Sequence, residues 1–482
     1  MIILPHRALA GVRVTGPNRG RRSAGLKKAS KDELVVAVAF ILAEVARLQK
    51  ILREGGLAAL PRDDAMHWLP DAPDTGAHIL CGRAASERIA MLADHAGRAA
   101  GVMHQVAPRS LDRDVRTLIS RRFLAEKRPV TLREVERALA EAGKLAAAER
   151  SARAHFIPCH LVFVQDPPQF AIGPVRFLSK ARFRARLAQL LWESRDFYRG
   201  SHRLLRDTRG YYASFGWVAE LDIANCDRKT SDARALEVVT RAIDCLHLLI
   251  GPGHSRKMRV GGPDLTRDLR GSVSANADGL RYEVSFPTAG HVGFEEGWFA
   301  RFADDWSREL PLCALALEAA IDPGLARPLS HRFLDAIHWY GEAVRDPNPA
   351  ARVVKYITAL ERMLMTEGAN EKIAPTIAER VAALCCERGS ALSHAQWHAD
   401  AHTAYSLRSN LVHGSLSPKD RRIMDELSTV ARVSRFAIIG ALKLIGEGRL
   451  TDEAASSAKL KRLYDSFVDA VRTDLGLTAV ET

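Results

Sequence analysis

The chain has 482 residues, of which 47% are apolar and 26% charged, and 70 Lys and Arg against 57 Asp and Glu give a formal net charge of +13. That composition excludes a collagen-like, fibrous or mainly disordered chain, and the length allows about three domains, or two large ones, whose cores need no covalent staples. Seven scattered cysteines, an odd number with no CxxC spacing, argue against a disulfide framework and a thiolate zinc site and suit a reducing compartment.

The first 30 residues, with PNRGRRSAGLKK at their centre, show no hydrophobic periodicity. Residues 1–53 hold eleven Lys and Arg against three Asp and Glu, which concentrates most of the net charge there. Two readings fit: a disordered arm (or a start codon placed too early), and a basic arm that touches nucleic acid. The longest apolar run, 34–43, stops at Glu44 and is too short to span a bilayer. It continues amphipathically through Val45, Leu48 and Leu52, and no small-residue cleavage site follows at the distance a signal peptide requires. These features predict a soluble, cytoplasmic protein with no membrane partner. Residues 31–150 read as helices around a Pro- and Asp-rich connection at 61–76. The sharpest signal is Thr131-Leu-Arg-Glu134, a capping box that opens a run with Leu132, Val135, Leu139 and Ala142 on one face.

From 151 to 325 the pattern becomes that of an α+β domain with short antiparallel strands. HLVFVQ at 160–165 and FAIGPVRFL at 170–178 are strand-like runs on either side of Asp166, Pro167 and Pro168. YYASFGWVAELDI at 211–223 alternates roughly. SVSANADGLRYEVSF at 272–286 predicts a hairpin turning at Asp278 and Gly279, with Tyr282, Val284 and Phe286 on one face. Helices are expected at 181–192 and 233–249.

After about 325 the strand signals end, and residues 326–482 read as a helical bundle. The first stripe is Phe333, Ile337, Tyr340 and Val344. Asn348 then offers an N-cap ahead of Pro349 at the first helical position. Val353, Ile357, Leu360 and Leu364 form the second stripe, and Ile377, Val381 and Leu384 the third. A fourth helix carries Leu407 and Leu411 and stops at His413-Gly414, where Gly supplies the left-handed residue. Ser417-Pro418 is expected to open a long fifth helix, and 453–475 a sixth. Short loops between long amphipathic helices describe an antiparallel bundle. The fold class is therefore an α+β N-terminal region followed by an all-α C-terminal bundle, mainly helical overall.

Metal and phosphate motifs are missing from the sequence: it has no HExxH, no GxxxxGK[ST] and no GxSxG. His394, His398 and His402 stack at i, i+4 and i+8, but no local carboxylate set completes them, although Asp400 is near; a polar exposed face is the plainer reading. Arg256, Lys257 and Arg259 form a small basic loop beside the turn-forming Gly251-Pro-Gly253, read either as a solvated turn or as a phosphate contact.

The informative segment is Tyr405-Ser-Leu-Arg408-Ser-Asn-Leu-Val-His413-Gly414. Arg408 and His413 are five residues apart, about 140° around a helix at roughly 100° per residue, so they flank the Leu407–Leu411 stripe on opposite sides. The two residue types suit phosphodiester chemistry: histidine moves a proton near neutral pH, and guanidinium holds a phosphate through paired donors as charge builds. No metal is required where the nucleophile is the 2′-hydroxyl of RNA itself. The competing structural reading pairs Arg408 with an acid such as Glu361 and leaves His413 to cap the helix.

This stretch resembles the Arg-x4–6-His signature of HEPN domains, and Arg-Ser followed by Val-His-Gly is similar to the Apea-like branch. YITALERMLMTEG at 356–368 and AERVAAL at 378–384 resemble that branch's first helices, so the likeness covers roughly 330–450. The resemblance implies a helical bundle that forms a homodimer, with Arg408 and His413 of both copies lining one cleft. It implies a metal-independent endoribonuclease without a cofactor, of the kind found in toxins, anti-phage defence and stress responses. By the same resemblance His413 would be the acid/base group and Arg408 the stabiliser of the phosphorane-like transition state. Asn410 and Glu361, with Ser409 and Tyr405 beside them, would be supporting groups. RNA is the implied partner, and the products would carry a 2′,3′-cyclic phosphate. Some HEPN domains keep the signature yet serve as binding modules, so a non-catalytic interaction or regulatory role stands as the alternative. Residues 1–325 match no part of this family; such a region has room to sense a trigger or small ligand, bind substrate or an antitoxin, or hold a nuclease inactive.

Overall fold

The computed structural model describes residues 30–56, 67–69, 79–193, 202–261, 270–276, 279–285, 294–366, 371–386 and 392–477. The basic segment at 1–29 lies outside them. The described chain is mainly helical, with a small antiparallel sheet in its middle. It divides into two compact units, residues 1–153 with 224–232 and residues 154–223 with 233–482.

The first unit is built on α1 (Lys31–Gly55). Ser30 and Glu33 close a reciprocal capping box there, and Leu34, Ala37, Val38, Ile41, Val45 and Leu48 form the buried stripe. A two-stranded ribbon follows, β1 (His67–Leu69) paired antiparallel with β2 (Ile79–Cys81). The sequence predicts only helix and connection here, because three-residue strands are too short to show alternation. Next come α2 (Arg83–Ala99), α3 (Pro108–Ile119), which runs on through a π-helical turn at Ser120–Ala125, and α4 (Leu132–Ala148). These helices share one apolar core with α1. At α4 the expected capping box is half made. The Thr131 hydroxyl accepts from the Glu134 amide at 3.4 Å, but the Glu134 carboxylate turns to Arg122 and Arg137 instead of the cap.

A five-stranded sheet, ordered β4-β5-β6-β3-β7, contains β3 (Ser151–His160), β4 (Gln169–Ile172), β5 (Val175–Ser179), β6 (Trp217–Cys226) and β7 (Arg259–Val260). The expected strand at 160–165 is displaced: the chain pairs over 151–160 and then leaves the ladder. Leu161 and Val162 are buried, and the Val162 carbonyl accepts from the Trp217 indole at 2.8 Å, so these two residues are core rather than strand, while Phe163 is 64% exposed. The 170–178 run is a tight hairpin pairing Ile172 with Val175. Its Gly173 has φ +54° and lies so close to the backbone of Ala314 that a side chain there would collide. The aromatic run at 211–223 is split, with Tyr211 and Tyr212 ending a helix and the strand starting at Trp217.

Helices α5 (Lys180–Glu193) and α6 (His202–Tyr212) separate β5 from β6, and α7 (Arg228–Ile250) follows β6. After the one-turn α8 (Pro252–Ser255) and β7, the strands β8 (Arg270–Asn276) and β9 (Gly279–Ser285) pair as a hairpin with Asn276 opposite Gly279. Asp278 and Phe286 of the expected hairpin lie outside the described residues. Two more helices, α9 (Trp298–Asp305) and α10 (Glu309–Ile321), lead into the C-terminal helices.

These are α11 (Pro328–Arg345), α12 (Pro349–Leu364), α13 (Ile373–Cys385), α14 (His394–Val412), α15 (Arg421–Leu450) and α16 (Ser457–Asp474). α15 is the central helix and packs against α10, α11, α12, α13 and α14. Asn348 caps α12 through the amides of Ala350 and Ala351, with Pro349 in the first turn as expected. The start of α15 is corrected: Asp420, not Ser417-Pro418, is its cap, accepting from the Arg422 amide, and Gly446 at φ +66° breaks the helix near its end.

A buried charge cluster joins α7 to α11. Asp244 is fully buried and receives Arg345 at 2.7 Å, while His338 Nδ1 and Arg241 lie 3.5 and 3.6 Å from its other oxygen. Gly341 makes the approach possible, because a methyl group there would overlap the Asp244 carboxylate. Arg435 of α15 adds a second tie by donating to the carbonyls of Leu248 and Leu249, the last turn of α7.

Candidate functional site

The candidate residues belong to α12, α14 and the turn that ends α14. Ser393 caps α14 by accepting from the Gln396 amide, and Trp397, Ala401, Ala404 and Leu407 are its buried positions. Their spacing sets Arg408 at the edge of the packed face, where its guanidinium reaches α12. Arg408 Nη2 donates to Glu361 Oε2 at 3.3 Å, and both side chains are about one-fifth exposed. Burial pushes the Glu361 carboxyl above its ordinary value, and the Arg408 charge pulls it part of the way back. Tyr405, one turn before Arg408, lies with its ring centroid 5.9 Å from the guanidinium carbon. Burial, then the Glu361 charge, raise its phenol. The Arg408 Nε is buried and has no hydrogen-bond partner among the described residues.

His413 occupies the C-cap of α14 at φ −84° and ψ 0°, and Gly414 turns the chain at φ +75°. Its backbone amide donates to the Ser409 carbonyl at 3.0 Å, while its imidazole is exposed and takes no hydrogen-bond partner among the described residues. Ser409 is half-buried, and the side chain of Asn410 is exposed. The Asn410 carbonyl accepts from the Leu416 amide, which folds the turn back on the helix end. Thus Arg408, Glu361 and Tyr405 come together, whereas His413 and Asn410 face solvent at the same helix end, as a separation of five residues requires. Val412, about half exposed, and Met424, at 61%, add apolar surface on the two helices that meet at this turn.

The basic loop belongs to the segment between α7 and β7. Arg256 follows α8 and is exposed, Lys257 is half-buried, and Arg259 in β7 is paired in register with His160. Burial, with the Arg259 charge adding to it, lowers the His160 imidazole. The Arg256 charge reaches Tyr356 of α12, where it opposes the rise that burial gives the phenol.

Along α14, His398 approaches Glu379 at 3.7 Å, burial lowers the His394 imidazole, and Asp400 is held by Arg432 at 2.7 Å. No group of three or more His, Cys, Asp or Glu able to hold a metal occurs among the described residues. Nor is any described helix long and apolar enough to cross a membrane. The sequence reading missed Asp244 and its cations, since a single Asp within the apolar run IDCLHLLI does not reveal what lies across from it.

Comparison with protein-family models, with curated proteins and with solved structures returned no match.

Proposed function

We propose that the protein is a metal-independent endoribonuclease of the HEPN type, acting through Arg408 and His413 in a cleft between two copies of the chain. The observation that carries this reading is the end of α14. A guanidinium about one-fifth exposed and an exposed imidazole with no partner among the described residues are held there at one helix end, beside exposed apolar surface. In the proposed reaction the 2′-hydroxyl of RNA attacks the adjacent phosphorus, and the 5′-oxygen of the next nucleotide departs. His413 of one copy takes the hydroxyl proton, and His413 of the other supplies a proton to the leaving oxygen. Arg408 offers its charge to the non-bridging oxygens as the phosphorane forms, and Glu361 and Tyr405 hold the guanidinium in place. The products are a 2′,3′-cyclic phosphate and a free 5′-hydroxyl. Anti-phage defence or a stress response is the setting such an activity fits.

A second reading is favoured by the Arg408–Glu361 pair itself. In a non-catalytic module the pair would lock α14 to α12, and His413 would serve only as the last residue of its helix. The test is incubation of purified full-length protein with single-stranded RNA in excess EDTA, wild type beside His413→Ala. Cleavage by the wild type, reduced at least about a hundredfold in the variant, supports the nuclease reading, since general acid–base groups contribute roughly 10²–10⁴-fold. Cleavage by neither, with RNA still bound, supports the module.

A further inference from the structure

Beside the sheet, α5 and α6 enclose a cleft of about 320 Å³ that the proposed nuclease reaction does not use. Its wall is apolar and aromatic. Phe183 and Tyr212 stack with ring centroids 4.8 Å apart, and Phe215, Leu187 and Val218 complete the apolar surface. The Tyr212 hydroxyl is already committed, donating to the Phe156 carbonyl at 2.6 Å, so this wall offers little for reading the polar edge of a base.

The charged groups of the lining are all cations: Lys180, Arg184 and Arg209. Lys180 Nζ is pinned at 2.5 Å from the Ala213 carbonyl. Arg184 and Arg209 are exposed, and their guanidinium groups have no carboxylate partner among the described residues. The neighbouring buried acid, Glu220, is instead consumed by Arg176 and Arg186. An apolar pocket whose guanidinium groups have no carboxylate partner among the described residues, and with no carboxylate in its lining, is complementary to one kind of small molecule.

We propose that this cleft binds a small organic anion with an apolar body, a carboxylate or phosphate monoester on a hydrocarbon or aromatic skeleton. The aromatic wall takes the body, and Arg184 and Arg209 take the anionic group. The proposal stands independently of the nuclease reading.

Fluorescence titration of the full-length protein with anilinonaphthalene sulfonate, beside the neutral dye phenylnaphthylamine, tests it. The sulfonate dye is expected to bind more tightly than the neutral one. Arg184→Ala and Arg209→Ala should each weaken it about tenfold, the loss of one charge-assisted contact, with circular dichroism unchanged. Ala188→Trp, a substitution at an exposed lining position, should fill the cleft and remove the binding. Decanoate and phenyl phosphate, as the two sources of anion, should both displace the dye, and the tighter one identifies the headgroup. Equal binding of the neutral dye, or sulfonate binding unchanged in all three variants, would overturn the proposal. So would displacement by a single-stranded oligonucleotide at lower concentration than by either anion, which would make the cleft part of an RNA track.

Discussion

At the scale of single residues, the chemistry of the candidate site depends on how Arg408 is shared between Glu361 and solvent. Glu361 is pushed up by burial and pulled down by Arg408. Arg408→Ala should therefore raise the Glu361 pKa further, which carbon-detected NMR titration of the carboxyl group reads directly. Gly414 illustrates a different residue-scale effect. A methyl group there would meet no atom within 4 Å, yet φ is +75°. Gly414→Ala should consequently destabilise the protein by about 1 kcal/mol in urea unfolding, through backbone strain alone. Asp244 is the residue whose loss should cost most. Burial raises its carboxyl, but Arg345, His338 and His247 together outweigh this and hold it below the usual carboxylate value. A folded-state pKa below the unfolded value of about 3.9 gives stability that is present above that pH and lost as pH falls through the folded value. Asp244→Asn should remove this acid-side slope. It should also destabilise the protein at neutral pH by about 2 kcal/mol, because Arg345 loses its buried partner and keeps the more exposed Glu342, at 3.0 Å.

At the scale of elements, what was legible in the chain follows the length of each periodic signal. α1 and α12 carry stripes three turns or more long, and α12 has a recognisable cap, whereas at α14 only the stop at His413-Gly414 was readable and its start at His394 was not. β3 was not legible because its exposed and buried positions do not alternate and Pro158 interrupts it, while β7 is two residues long. Helical geometry predicts Arg408 and His413 on opposite flanks of α14; Arg408 pairs with α12, and His413 is exposed at the C-cap. Glu361 appeared in advance as an acid able to pair with Arg408, but only the packing of α12 against α14 brings it to 3.3 Å. The Asp244–Arg345 pair and the capping of α7 by Arg435 left no local trace, since both join residues a hundred or more positions apart. The second of these has its own test. Arg435→Met leaves the Leu248 and Leu249 carbonyls without their donor and should speed amide exchange at Gly251 and Ser255, whose bonds lie in the turn that Arg435 braces.

At the scale of the whole molecule, the proposed cleft exists only between two copies, so assembly and activity must vary together. Val412 and Met424 supply the exposed apolar surface next to His413. The double variant Val412→Glu, Met424→Glu should sediment as a monomer and lose cleavage while retaining Arg408 and His413. A monomer with full activity would remove the shared cleft from the mechanism. RNA binding by a chain of net charge +13 should weaken steeply with added salt, because phosphate contacts release condensed counterions. The central claim is attack by the RNA's own 2′-hydroxyl without a metal. It is tested most directly by offering the protein, in excess EDTA, one oligoribonucleotide and its fully 2′-O-methylated counterpart. The first should be cut to ends bearing a 2′,3′-cyclic phosphate and the second should stay intact. Equal cutting of both, or 3′-hydroxyl ends on the first, would contradict it.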